Sequence, residues 1–258
     1  MTYTGEERRL YKRKQFSLPL RVRGHESGDS IWTEFARLID VTPMGARFTL
    51  TQLTEVGRLL HLQIMMPRQF RCYDYAEDQY RIWSLVRHAT FLESTGSEKV
   101  LLDVGVGFVG KHPPASFEKD PMTRYEVASS AVEGKLLNIR EHPHSAAAAF
   151  TTKRRDDARY QIPIDVRLEA LATSGQVNGA ENTVTEDISR IGASVFTTLH
   201  LARGQFVRLT SSQYQTSITA VVRSCYTKSD NFTRIELEFI NAEWPLTGIE
   251  LVDTCAGV

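Results

Sequence analysis

The sequence predicts an all-β protein made of two similar six-stranded domains in tandem, each a small barrel or sandwich. Apolar residues recur at every second position in many short segments, and turn residues separate these segments. The same order of strand-like segments and turns occurs twice in the 258 residues. A period of two is typical of strands with one buried face, and short strands between turns favour a barrel or sandwich.

The first copy contains six candidate strands. Turn residues separate them, for example at 42–45 and 55–57. Residues 67–79 are polar and aromatic without a clear period, which predicts a long loop. The candidate strands span residues 16–22, 31–40, 46–50, 59–64, 80–92 and 101–109.

A linker is predicted after the first copy. Pro113 and Pro114 stop the last strand. Apolar residues within 117–139 have partly helical spacing, which predicts one or two short helices, and 141–152 is rich in small residues. We therefore expect a first, degenerate domain over 1–122, a partly helical linker over 123–152 and a second domain over 153–250.

Five segments of the first copy recur in the same order in the second copy. Residues 160–166 match 16–22, which aligns Pro163 with Pro19. Because the matches keep their order along the chain, duplication explains them better than chance alternation. The other matched segments are 187–193 with 40–46, 204–209 with 57–62, 221–223 with 85–87, and 235–240 with 104–109.

Composition argues against several classes of protein. Lysine plus arginine equals aspartate plus glutamate at 31 each, so the net charge is zero, which argues against a general nucleic-acid binder. We expect no secretory signal, because the first residues include no apolar stretch of the kind such a signal requires. We expect no membrane insertion either, because no apolar run approaches the ~18 residues of a spanning helix. Cys72, Cys225 and Cys255 are widely spaced, as expected of free thiols in a reducing cytoplasm.

No motif of a known catalytic centre is present. His142 and His144 lie close in sequence but lack an obvious third metal ligand. Gly105, Gly107 and Gly110 have the spacing of a dinucleotide-binding motif, but prolines follow them where that motif requires a helix. We therefore expect a protein that is not an enzyme and that needs no cofactor and no metal.

The second copy contains the best candidate for a binding site. An arginine-rich segment precedes its first strand, and an Asp-x-Ser-x-x-Gly turn follows about thirty residues later. Taken separately, such arginines are usually solvated and such a turn is usually structural. Together and in this order they predict a ligand site. The candidate residues are Arg154, Arg155 and Arg159 in the first segment, and Asp187, Ser189 and Gly192 in the turn.

The chemistry of these residues suits an anion that also carries hydrogen-bond donors. A guanidinium group binds phosphate bidentately and stacks on aromatic rings. Asp187 accepts hydrogen bonds, and Ser189 can leave the same face of an extended strand because one residue separates the two. Gly192 permits either a positive φ or a close approach of backbone.

This arrangement resembles the signature of PilZ domains, which are bacterial receptors for the second messenger cyclic di-GMP. The resemblance implies a six-stranded barrel with the arginine segment folded over a ligand on its outer surface. The arginines would bind the phosphodiesters and guanine edges, and Asp187 would accept hydrogen bonds from guanine N1-H and N2-H. Arg223, on a late strand, is a further candidate contact.

The first copy carries a weaker version of the same pattern. Arg9 and Arg13 have the required spacing, but they lie two residues farther from Pro19 than their counterparts lie from Pro163. A two-residue bulge would restore their register. The candidate second site consists of Arg9, Arg13, Asp40, Thr42 and Gly45. The alternative is a degenerate domain used for packing, partner binding or relay.

We therefore expect a cytoplasmic cyclic di-GMP receptor. Binding would order residues 150–159, change how the two barrels are arranged and signal to a protein partner in motility, polysaccharide or biofilm control. The alternative is an adaptor whose PilZ-like domains bind only proteins. A nucleic-acid-binding barrel is disfavoured by the zero net charge and by the lack of an interleaved basic and aromatic strand face.

Overall fold

The chain folds into two closed β-barrels of six strands each, as the sequence predicted. The computed structural model describes residues 14–26, 30–92, 100–128, 136–143 and 158–246. The first barrel consists of β1 (Pro19–His25), β2 (Ile31–Thr42), β3 (Gly45–Leu50), β4 (Leu59–Ile64), β5 (Tyr80–Leu92) and β6 (Leu101–Gly110). The second consists of β9 (Asp165–Leu171), β10 (Val177–Ile188), β11 (Gly192–Phe196), β12 (Phe206–Ser211), β13 (Thr216–Thr227) and β14 (Thr233–Phe239).

The two barrels share one topology, which supports the predicted duplication. Around the first barrel the strands follow the order β1-β2-β3-β6-β5-β4, and the second repeats this order with β9-β10-β11-β14-β13-β12. Irregularities recur too. The register of β2 against β3 shifts just before Asp40, and that of β10 against β11 shifts just before Asp187. β-Bulges of this kind re-aim side chains and are typical of functional sites.

Alternation of apolar and polar residues places one face of every strand in a barrel core. Val22, Phe48 and Leu62 are fully buried in the first barrel, and Val195 and Leu209 are fully buried in the second. Each buried side chain of this size stabilises the fold by about 1.5–3 kcal/mol relative to exposure. The polar side chains that could bind a ligand therefore stand on the outward positions of the same strands.

The first strands of the two barrels are offset from the predicted alignment. The N–H of Leu38 donates to the carbonyl of Leu18, and the N–H of Thr185 donates to that of Ile164. Leu18 thus corresponds to Ile164, and the alignment of Pro19 with Pro163 was wrong by two residues. A shift of two keeps every side chain on its own face of the strand, so the alternation in sequence could not reveal it.

Where the structure describes the segment expected to contain short helices, it shows one short helix and two short strands. One short helix, α1 (Ala115–Lys119), lies in the range assigned to the first domain. Within 123–152, the described residues form a two-stranded sheet of β7 (Tyr125–Val127) and β8 (Ile139–Glu141). The N–H of Tyr125 donates to the carbonyl of Gly57 at 2.8 Å, so this segment pairs with the first barrel instead of forming its own helical hydrogen bonds.

The two barrels contact each other through apolar and polar groups. Leu171, Phe206 and Val221 of the second barrel belong to the same cluster of buried side chains as the core of the first. The N–H of Leu53 donates to the carbonyl of Thr173 at 2.6 Å across this interface. None of the described helices is long and apolar enough to cross a bilayer.

Candidate functional site

The candidate site of the second barrel lies on the outer surface where β10 turns into β11. Asp187 stands near the end of β10, directly after the register shift, and lies opposite Ser194 of β11. One fifth of the Asp187 side chain is exposed. Its carboxylate is therefore half-sheltered by the barrel wall and open on one side.

Arg159 is the arginine that the structure brings to this carboxylate. Its Nη1 lies 2.8 Å from Oδ1 of Asp187 and 3.0 Å from Oε2 of Glu236 on β14. Tyr226 of β13 donates its hydroxyl to the other oxygen of Glu236 at 3.0 Å. Arg159 precedes Tyr160, whose backbone bridges to Ile188 at the end of β10. This bridge fixes Arg159 beside the turn.

At this place two carboxylates, those of Asp187 and Glu236, share the single guanidinium group of Arg159. Burial raises the pKa of Asp187; the attraction of Arg159 opposes this effect, and the nearby Glu236 reinforces it. The pKa of Arg159 is raised because its attraction to the two carboxylates outweighs its partial burial. One guanidinium group thus serves two acids, and it is itself 43% exposed. Such a group can exchange partners with an incoming ligand.

Ser189 and Gly192 shape the turn that holds Asp187. The hydroxyl of Ser189 donates to the carbonyl of Gly192 at 3.2 Å and accepts the N–H of Ile191 at 3.3 Å. A Cβ atom on Gly192 would lie 2.3 Å from the carbonyl oxygen of Leu237. Of the two reasons the sequence offered for this glycine, the structure shows the close approach of backbone.

Other predicted contacts lie elsewhere or outside the described residues. Arg154 and Arg155 fall outside the described part of the chain. Arg223 is buried at the interface between the barrels and pairs with Glu55, away from Asp187. Sequence reasoning missed Glu236, although its outward position in the alternating segment 235–240 was a usable signal. No group of three His, Cys, Asp or Glu residues able to hold a metal occurs in the described parts.

Comparison with known families decides what this barrel is. Residues 153–244 match the PilZ domain family model. The second barrel is a PilZ domain. This match confirms the resemblance seen in the sequence, and it spans both the arginine-rich segment and the Asp-x-Ser-x-x-Gly turn.

Solved structures similar to the whole chain share little sequence with it. The Bacillus subtilis inhibitor of motility MotI/DgrA is 11% identical, with a TM-score of 0.29, over 89% of this chain and 90% of that one. Borreliella burgdorferi PlzA in complex with c-di-GMP is 11% identical, with a TM-score of 0.28, over 91% and 89%. Escherichia coli YcgR in complex with c-di-GMP is 12% identical, with a TM-score of 0.28, over 87% and 76%. The comparison with curated proteins found no match.

The first barrel repeats the turn geometry of the PilZ domain. The hydroxyl of Thr42 donates to the carbonyl of Gly45 at 3.4 Å and accepts the N–H of Met44 at 3.2 Å. A Cβ atom on Gly45 would lie 2.2 Å from the carbonyl oxygen of Val106. Threonine thus replaces serine without loss of the turn, and Asp40 occupies the place of Asp187.

The surface beside this turn is a cavity of about 510 Å³. Arg47 takes the position that Ser194 has in the PilZ domain, and Gly105 takes that of Glu236. The guanidinium group of Arg47 binds Asp103 with both Nε and Nη2, at 2.8 and 2.7 Å. At these two positions the first barrel therefore has one acid fewer and one arginine more. Lining residues include Asp40, Thr42, Gly45, Arg47, Arg87 and Asp103.

The corrected register also aligns Arg9 and Arg13 of the first copy with Arg155 and Arg159 in sequence. Lys14 bridges to Val41 as Tyr160 bridges to Ile188. Arg13 precedes Lys14 in the sequence, just as Arg159 precedes Tyr160. Arg9 and Arg13 themselves lie outside the described residues. In sequence, Arg9 and Arg13 stand as far before Leu18 as Arg155 and Arg159 stand before Ile164, so the bulge that the sequence alignment required is not needed.

Proposed function

We propose that the PilZ domain of this chain binds cyclic di-GMP on its outer wall. The observation that carries the proposal is the 2.8 Å contact between Arg159 and Asp187, which joins the two halves of the predicted motif. Cyclic di-GMP offers two phosphodiesters for arginine and two guanine edges for both arginine and carboxylate. The binding residues we propose are Arg154, Arg155, Arg159, Asp187, Ser189 and Gly192.

Binding proceeds by exchange of partners at Arg159. The guanidinium group leaves the carboxylates for a phosphate or a guanine face, and Asp187 then accepts the N1-H and N2-H donors of guanine. Ser189 and Gly192 contribute by holding the turn, because the hydroxyl of Ser189 is already engaged inside it. The arginines before Tyr160 supply further positive charge to the ligand.

We propose the cavity of the first barrel as a second site for the same ligand. The site consists of Arg9, Arg13, Asp40, Thr42 and Gly45. Two observations support it: the bridge of Lys14 to Val41, which Arg13 precedes in sequence as Arg159 precedes Tyr160, and the cavity beside Asp40. Arg47 adds a guanidinium group on the cavity wall at the position where the PilZ domain has Ser194.

Ligand binding would be signalled through the arrangement of the barrels. The arginine segment at 150–159 leads directly into the PilZ domain, and ordering it around an anion gives a switch of a known kind. The protein would act in the cytoplasm, without enzymatic activity, on a protein partner in motility, polysaccharide or biofilm control.

Calorimetric titration with cyclic di-GMP tests these proposals. Wild type is expected to bind saturably, Arg159→Ala and Asp187→Ala to lose the PilZ site, and Asp40→Ala to reduce the stoichiometry by one ligand. Arg190→Ala is the matched control, because Arg190 lies in the same turn but pairs with Glu243. Absence of heat with intact wild type would reject the receptor and favour the protein-binding adaptor.

A further inference from the structure

A cluster of cationic residues covers the wall of the first barrel formed by β1, β4 and β5. Arg21 and Arg23 extend outward from β1, and Arg81 extends outward from β5. Between them, on β4, Gln63 lies opposite both Arg21 and Arg81, and His61 lies opposite Arg23. These five side chains line a depression of about 390 Å³. Every one of them can donate hydrogen bonds.

The cluster has no acidic counterpart in the described part of the chain. The side chains of Arg21, Arg23 and Arg81 make no hydrogen bond or ion pair with the described residues. On the flanking strand β2, Phe35 lies opposite Arg21 and Thr33 opposite Arg23, so no carboxylate stands directly opposite either arginine there. Three like charges around one depression repel one another, so this arrangement costs stability unless an anion binds to it.

In the PilZ domain, an acid balances the positive charges on the equivalent wall. There Arg167 lies opposite Thr210 and Glu169 opposite Arg208, which matches the pairs of Arg21 with Gln63 and Arg23 with His61. Glu169 binds Arg208 at 2.6 Å and Arg167 at 3.2 Å. In the first barrel Arg23 takes the place of Glu169, so the counter-ion is replaced by a third cation.

We propose that this wall of the first barrel binds a small anion that carries two or more negative charges on its phosphate groups. Three guanidinium forks at the edges of the depression match phosphate oxygens bidentately, and the amide of Gln63 lies between two of them. A volume of about 390 Å³ is in the range of small-molecule sites. The wall shares no lining residue with the cavity at Asp40, which β2, β3, β6 and a later part of β5 form. This proposal therefore does not depend on cyclic di-GMP binding.

His61 offers a second readout of anion binding. Burial first, and then the charges of Arg23, Arg81 and Arg21, lower the pKa of its imidazole to about 4. Trp83, on β5, packs against the ring with centroids 5.2 Å apart. A bound anion would offset the three positive charges and raise the pKa of His61, which proton NMR of the imidazole can follow.

Titration of the full chain with inorganic pyrophosphate tests the proposal, with guanosine triphosphate and a single-stranded oligonucleotide in parallel. We expect pyrophosphate to bind saturably, and we expect Arg23→Glu, which restores the charge arrangement of the PilZ domain, to weaken binding at least about tenfold. Arg81→Gln is a milder second variant, expected to weaken binding in the same direction. Arg167→Gln, on the equivalent wall of the PilZ domain, is the matched control and should leave affinity unchanged.

The arms of the experiment distinguish the sources of phosphate. Equal affinity for pyrophosphate and the triphosphate shows recognition of phosphate alone, and tighter binding of the triphosphate shows a nucleotide ligand. The oligonucleotide is included because Phe35, 79% exposed beside Arg21, could stack on a base. Binding of the oligonucleotide alone would overturn the proposal in favour of a nucleic-acid surface. Pyrophosphate binding that Arg23→Glu leaves unchanged, or no binding at all, would also overturn it.

Discussion

Arg223 of the second barrel and Glu55 of the first form a buried ion pair across the interface. Nη1 of Arg223 lies 2.8 Å from Oε1 of Glu55, and Nη2 binds the second carboxylate oxygen. Each residue is only 4% exposed. Arg223 also binds Glu238 through Nε at 2.8 Å, and Arg124 lies 3.2 Å from the same acid. The arrangement of the barrels is thus tied to a network of buried charges.

Replacing Glu55 with alanine should destabilise the protein strongly. The substitution leaves Arg223 buried without its bidentate partner, and breaking a buried pair in this way costs about 3–5 kcal/mol. Urea unfolding monitored by tryptophan fluorescence would measure the loss. Glu243→Ala is the control, since the pair of Glu243 with Arg190 lies on the surface, where such pairs contribute about 0–1 kcal/mol. A loss for Glu55→Ala no larger than for the control would show that the interface is open in solution.

The same pair predicts a dependence of stability on pH. Burial alone would raise the pKa of Glu55, but attraction to Arg223, Arg124 and Arg58 lowers it to about 2. A folded-state pKa below the unfolded value stabilises the fold above pH ~4.5, and this contribution is lost as the pH falls toward 2. The shift corresponds to about 3 kcal/mol at neutral pH.

Urea unfolding of wild type and Glu55→Gln between pH 3 and 7 checks this dependence. The difference in the free energy of unfolding should be largest above pH 5 and should shrink as the pH falls. A difference that stays constant over this range would contradict a depressed pKa for Glu55. Reversible unfolding at each pH is the control that makes the comparison valid.

The strands were predictable because their pattern is local. The residue-by-residue correspondence between β1 of the first barrel and β9 of the second was not predictable. A period of two shows which residues face inward, but a two-residue shift preserves that pattern, so Pro19 and Pro163 aligned in sequence without being equivalent in the fold. Likewise, Tyr125 lies in a segment with helical spacing, yet its N–H binds the carbonyl of Gly57. Tertiary pairing overrode the local preference there.

The sequence identified several residues of the candidate site, but it was a poorer guide to the role of each. Arg159 and Asp187 meet because a strand bridge at Tyr160 brings together segments that are far apart in sequence. Glu236 was missed because a single acid on an outward strand position is usually solvated. Arg223 was placed at the site by strand position alone, and the interface that buries it is invisible to a reading of one domain at a time.

Gly192→Ala should destabilise the PilZ domain through a clash with backbone. The new Cβ would lie 2.3 Å from the carbonyl oxygen of Leu237, which cannot move without breaking the pairing of β11 with β14. Overpacking of this kind costs about 1–3 kcal/mol. Gly179→Ala is the matched control, because its Cβ would have no neighbour nearer than 3.7 Å. Thermal unfolding should show a lower midpoint for Gly192→Ala only, and equal midpoints would contradict the close approach.

Glu236→Gln should raise the affinity of the PilZ domain for cyclic di-GMP. Glu236 holds Arg159 at 3.0 Å and adds a negative charge beside the place where we propose phosphate binds. Removing that charge frees the guanidinium group and lowers the repulsion, which we expect to be worth about 1 kcal/mol, or about fivefold in the dissociation constant. Titration calorimetry would measure the change.

The control for this variant is Glu243→Gln, which removes an exposed acid of the same domain without touching Arg159. It should bind cyclic di-GMP as wild type does. Weaker binding by Glu236→Gln would show that Glu236 contacts the ligand itself, as a second acceptor for guanine beside Asp187. Glu236 would then support ligand binding instead of competing with the ligand for Arg159, and the partner exchange proposed here would be wrong.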